Sequence, residues 1–120
     1  MVNIVDEIKL DLDTKYLYGA GTMAEAILLY FEKEGIGVDA VIVDDAYYKS
    51  NMKMRNGLDI LPISVLADKK SKSVIAGMAD YKHIKEMCKG YGVDKVYYFS
   101  AVVYGRLGMY LSEEYIKKHL

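Results

Sequence analysis

An α/β domain with a mainly parallel sheet of four to five strands, helices covering both faces, is the fold class this sequence predicts, on three observations. Short apolar runs alternate with helix-period segments, which is the order of β-α-β units. The first run, Tyr16-Leu17-Tyr18, enters the turn Gly19-Ala20-Gly21, and a helical pattern follows at once. A second run, Val38 to Val43, ends in Asp44-Asp45, with Asp44 twenty residues beyond Ala24. Strand, glycine turn, helix and a second strand tipped by a carboxylate are the parts of a Rossmann-like three-layer fold. At 120 residues the chain fits one domain with a real core, and residues 111–120 read as the start of a linker helix to a further domain.

The elements follow in order. Ile4, Val5 and Ile8 are spaced for a short opening helix, and Asp11 to Thr14 form the turn into the first strand. Ala24, Ile27, Leu28 and Phe31 fall on one face of the next helix, which Gly35 is placed to end. Tyr47 to Gly57 is polar and without periodicity, a solvated loop whose Lys49, Lys53 and Arg55 could also close over an anion. Ile60-Leu61-Pro62 suggests an edge strand, where a missing N–H does little harm, followed by a helix from Ser64 through Leu66. Ser73 to Met78 is a buried strand, and Asp80 caps a helix whose apolar face carries Ile84, Met87, Cys88 and Tyr91. Lys95 to Ser100 gives the fourth main strand, Ala101 to Tyr110 is loop-like, and Ser112 caps a last helix to Leu120.

Composition excludes several classes. With 52% hydrophobic residues the chain is not generally disordered. A net charge of −1, acids and bases interspersed, leaves no basic footprint for nucleic acid or an anionic membrane. The single cysteine cannot form an internal disulfide, and neither a signal peptide nor an apolar run of about twenty residues is present, so the expected location is cytoplasmic. Twelve tyrosines stand against two phenylalanines and no tryptophan. In the pairs Tyr47-Tyr48 and Tyr97-Tyr98, strand parity puts one ring inward and one outward, which offers a surface for a ligand, a partner domain or a second copy.

In the glycine turn each residue has a physical task. Gly19 can take backbone angles closed to other residues, and Gly21 has no side chain to hold a pyrophosphate off the main chain. Ala24 is small enough for close packing of helix on strand, and the helix start aims free N–H groups and a positive dipole end at the turn. The candidate cofactor-binding residues are accordingly Gly19, Ala20, Gly21, Thr22 and Met23 for phosphate. Asp44 and Asp45 would meet the ribose diol, and Gly77 a base or second ribose at the neighbouring strand end. Against phosphate, Thr22 and Glu25 spell a capping box that would satisfy the helix-start donors internally, and the Glu25 carboxylate would repel an anion.

No catalytic constellation can be assembled. His83 lies off its helix's apolar face and His119 is one residue from the end, neither with partners at metal-ligand spacing. Cys88 reads as a small core residue. A Gly-Lys-Ser/Thr sequence does not follow the glycine turn, and no G-x-S-x-G elbow occurs. Methyltransferases that hold S-adenosylmethionine on a first-strand glycine turn usually carry an acidic residue just before it, where this chain has Tyr18.

The segments Tyr16-Leu17-Tyr18-Gly19-Ala20-Gly21, Val38-Asp39-Ala40 leading to Val43-Asp44-Asp45-Ala46-Tyr47-Tyr48, and Ile60-Leu61-Pro62-Ile63 resemble the N-terminal region of FkbM-family methyltransferases. Val96-Tyr97-Tyr98-Phe99 followed by Tyr115-Ile116-Lys117-Lys118 is similar to the join into their methyltransferase domain. The fold is also similar to N-terminal domains of sugar acyltransferases and some nucleotide-sugar dehydratases. This resemblance implies an accessory domain, not catalytic by itself, with NAD or a nucleotide sugar as the possible ligand and S-adenosylmethionine confined to a downstream domain. Two further expectations stay beside it: a docking or homo-oligomerising module with an unused pocket, and a redox-sensing NAD-binding domain.

Overall fold

In the computed structural model, residues 4–77 and 81–98 are described. They form a Rossmann-like three-layer α/β domain whose single sheet has five parallel strands in the order β3-β2-β1-β4-β5. The strands are β1 (Thr14–Tyr18), β2 (Ala40–Val43), β3 (Ile60–Pro62), β4 (Lys72–Ala76) and β5 (Lys95–Tyr97). Helices α1 (Ile4–Leu10), α2 (Thr22–Glu34) and α3 (Tyr81–Gly90), with 3₁₀ helices at Asp45–Tyr47 and Ile63–Asp68, make the connections. The five strands sit at the expected places along the chain. The predicted cap at Asp80, the end of the last strand at Ser100, the loop 101–110 and the helix 112–120 lie outside the described residues.

Period-two alternation builds the two cores. Leu17, Val41 and Ile75 point to one face with Ile60, where α1 and α2 cover them. Tyr16, Tyr18, Ala40, Ile42, Val74 and Ala76 point to the other, beneath the 63–68 helix and α3, whose Ile84 and Cys88 close the layer. Both faces being covered, the strands read as continuous apolar runs. Burial pushes the Cys88 thiol up to about 11, so it stays protonated in the core.

Two expectations change. Helix α2 is buried over more than one face, because Ala26, Leu29 and Tyr30 are also in the core. Lys9 of α1 pairs with Glu34 at 3.0 Å, and the loop after β2 brings Arg55 to Glu25. That loop is folded: Met54 is buried, Lys53 bridges to Asp59, and the turn closes where Gly57 N–H meets the Met54 carbonyl at 2.9 Å. Lys53 and Arg55 are thus held by the carboxylates of Asp59 and Glu25. The unreadable periodicity reflects a segment whose order comes from these long-range partners.

At the amino ends of β1 and β4, Asp11 makes a buried tie that its turn position did not reveal. Its carboxylate accepts hydrogen bonds from Ser73 Oγ at 2.6 Å, Tyr97 Oη at 2.7 Å and the Asp13 N–H at 2.7 Å. Lys95 pairs with Asp13 at 2.6 Å and stands 3.5 Å from Asp11. Burial works to raise the Asp11 pKa, but these donors outweigh it and hold the carboxyl at about 2, below its ordinary 3.8. A pKa lowered by folding stabilises above the unfolded value and stops doing so as the pH falls through the folded one. Acidification from about pH 4 to about pH 2 is expected to remove about 2 kcal/mol through this group. Urea titrations should show Asp11→Asn with a flatter stability profile over that window.

Candidate functional site

The crossovers on the two sides of β1 part at its carboxyl end, since β2 lies on one side and β4 on the other. This is the topological switch point, where open α/β sheets present a crevice. A cavity of about 480 Å³ lies there, lined by Tyr18, Gly19, Ala20, Gly21, Thr22, Met23, Val43, Asp44, Tyr47 and Gly77. Of the eight residues singled out from the sequence, Gly19, Ala20, Gly21, Thr22, Met23, Asp44 and Gly77 are brought together around it. Asp45 is not: its carboxylate accepts the Ser64 N–H at 3.1 Å and ties the two 3₁₀ helices to each other. Tyr18, Val43 and Tyr47 are the lining residues that sequence reasoning missed as site residues.

The three glycines differ in why they are there. Gly19 sits at φ +110°, a backbone that side chains rarely adopt, and turns the chain out of β1 while its N–H still bonds the Ile42 carbonyl at 2.9 Å. At Gly77 the reason is contact within the sheet. A Cβ there would stand 2.6 Å from the Tyr18 carbonyl oxygen, to which the Gly77 N–H bonds at 2.9 Å. Gly21 has neither reason: its φ is −90° and a Cβ would meet nothing within 4 Å.

The capping box is not formed. Gly21 is the N-cap of α2 and makes no side-chain cap, so Thr22 falls one position too late to serve. Glu25 instead turns to Arg55, whose Nε is 3.3 Å away, because the folded loop carries that guanidinium over the first turn. The helix start is therefore left without a side-chain acceptor of its own, and the nearby acidic charge is offset by a cation.

Asp44 is held by its neighbour across the sheet. The Tyr18 hydroxyl donates to Asp44 Oδ1. Burial, and then this acceptor, push the Tyr18 pKa upward, so the phenol keeps the proton it donates. The position just before Gly19, occupied by an acid in many methyltransferases, here supplies a hydroxyl that fixes the acid at the tip of β2. The register of the two strands sets this up, because Tyr18 and Ile42 are partners at the strand ends and Asp44 follows two residues on.

The tyrosine pairs distribute differently from the strand-parity reading. Tyr47 and Tyr48 lie beyond the end of β2, in and after the 3₁₀ turn. Tyr97 and Tyr98 do obey parity, but both rings are partly buried, one at Asp11 and the other 4.6 Å from the Tyr81 ring. Among the described tyrosines only Tyr47 is classed as exposed. His83 is exposed on α3, and His119 lies outside the described residues. Among the described residues no three His, Cys, Asp or Glu side chains gather as metal ligands, and no helix is long and apolar enough to cross a membrane.

The chain matches no family model, and no curated protein matches it.

Substitution separates the glycines. Gly77→Ala is expected to cost about 1–3 kcal/mol by overpacking against β1. Gly21→Ala should cost no more than about 1 kcal/mol in urea unfolding, the scale of the N-cap preference for glycine over alanine, because nothing within 4 Å opposes its methyl group.

Proposed function

We propose that this chain is a nucleotide-binding-type module, with a ligand held at the carboxyl ends of β1, β2 and β4 and the chemical step carried by another domain. The observation that carries this reading is Gly21. No neighbour and no left-handed φ requires a glycine there, and Ser, Asn or Asp would serve the N-cap at least as well, while a phosphate approaching the main chain at a helix start favours a residue without a side chain. Ala20 and the first residues of α2 supply backbone N–H groups to that phosphate, Gly19 making the turn that exposes them, and the Asp44 carboxylate accepts from a ribose diol. The uncapped helix start and the Glu25–Arg55 pair remove the two objections that the sequence raised against an anion.

The FkbM resemblance extends the proposal to the parent protein: an accessory domain of a sugar-modifying methyltransferase whose donor site belongs to a downstream domain. NAD and nucleotide sugars are the ligands to test first. Tyr18 in place of an acid, with its hydroxyl committed to Asp44, disfavours S-adenosylmethionine in this cavity.

Thermal shift and calorimetry with NAD, NADP, UDP-sugars and S-adenosylmethionine test this reading. Saturable stabilisation by NAD or a UDP-sugar is expected. Asp44→Ala should weaken it at least about tenfold, the scale of a lost charge-assisted hydrogen bond. NADP should bind more weakly than NAD, because its 2′-phosphate meets the same carboxylate. Gly21→Ala should lose binding at a stability cost of no more than about 1 kcal/mol. No response to any of these ligands at millimolar concentration would sink the proposal.

A further inference from the structure

Resting on the nucleotide reading of this cavity, we infer that it holds a nucleoside subsite in which a planar heterocyclic base stacks on the Tyr47 ring. Tyr47 lines the cavity, yet 74% of its surface is open to solvent. Tyr16 and Tyr30 are buried in the cores, and Tyr18 and Tyr97 give their hydroxyls to carboxylates. A large apolar ring left at the wall of a cavity is a contact surface without a contact, and stacking is the contact that suits it.

The backbone that carries the ring is fixed in register with Asp44. Tyr47 N–H bonds the Asp44 carbonyl at 2.9 Å, Tyr48 N–H bonds the Asp45 carbonyl at 3.2 Å, and the Asp45 carboxylate anchors the turn to Ser64. Residues three apart in a 3₁₀ turn return to the same side, about 6 Å along its axis. That span matches the distance between the diol of a nucleoside and its base, so Asp44 and Tyr47 can hold the two parts of one molecule. The chemical class follows from charge as well: the described residues lining the cavity include no Lys, Arg or His, and Asp44 is their one carboxylate. The moiety held there is therefore not an anion but a base and sugar, with phosphate left to the backbone at the glycine turn.

Calorimetric titration of the full chain with adenosine, uridine and free ribose, repeated on Tyr47→Ala and Tyr47→Phe, tests this. The wild-type chain should bind at least one of the two nucleosides. For it, Tyr47→Ala should weaken binding about 5- to 150-fold, the range for one base–aromatic stack. Tyr47→Phe should stay within about threefold of wild type, since the ring and not the hydroxyl is the platform. Ribose titrations should not distinguish the variants, and unchanged thermal unfolding would show that the exposed ring was removed without damage to the fold. Nucleoside binding that is equal in wild type and Tyr47→Ala overturns the stacking subsite while leaving the cavity's nucleotide reading in place. Failure of both nucleosides on the wild-type chain, with NAD and UDP-sugars still binding, overturns the subsite; failure of all of them overturns both.

Discussion

The position of β1, hydrogen-bonded in parallel to β2 on one side and to β4 on the other, is the constraint on which the rest of the molecule depends. As the central strand it is covered by helices on both faces, so its apolar residues alternate between two separate cores. The chain leaves β1 toward β2 and returns on the far side at β4. The connections therefore diverge at the carboxyl edge and open a crevice there without any element having to be displaced. Gly77 lets β4 run close to the end of β1, since any side chain would strike the Tyr18 carbonyl. The narrow join beneath the cavity is thus a packing requirement, and Gly77 lines the site because it satisfies that requirement.

Opposite ends of the same sheet carry opposite kinds of polar group. At the amino ends, Asp11 is buried and saturated: Ser73, Tyr97 and a backbone N–H donate to it, so it links the α1–β1 turn to β4 and β5. At the carboxyl end, Asp44 accepts one hydroxyl from Tyr18 and faces a cavity. A saturated carboxylate stabilises; one with remaining acceptor capacity at a concave surface can recognise a donor. The contrast separates the part of the domain that holds its shape from the part that can bind.

Electrostatics at the start of α2 depend on a segment far along the chain. Glu25 is paired with Arg55 only because the loop after β2 folds back over the helix, its Met54 entering the core and Lys53 fastening to Asp59. The same folding takes Lys53 and Arg55 out of the supply of free cations for an anion. The described residues lining the cavity beside the turn are uncharged except for one acid, Asp44.

By itself, the sequence determined the layer architecture and where the chain turns. Apolar runs at Tyr16–Tyr18, Val38–Val43, Ile60–Leu61, Val74–Ala76 and Val96–Tyr97 are local patterns, and burial on both faces of a parallel sheet is what such patterns permit. Gly19 and Asp44 could be read as site residues for the same reason: their spacing places both at strand ends on one edge. What only the tertiary structure decided are the pairings that local spacing does not encode. They include Glu25 with Arg55 in place of a capping box, Asp45 with Ser64 outside the cavity, Tyr18 with Asp44 inside it, and Asp11 beneath Tyr97. Each joins residues 19 to 86 positions apart, brought together by strand order and loop closure, and hydrogen bonds across such distances leave no periodic trace in a sequence.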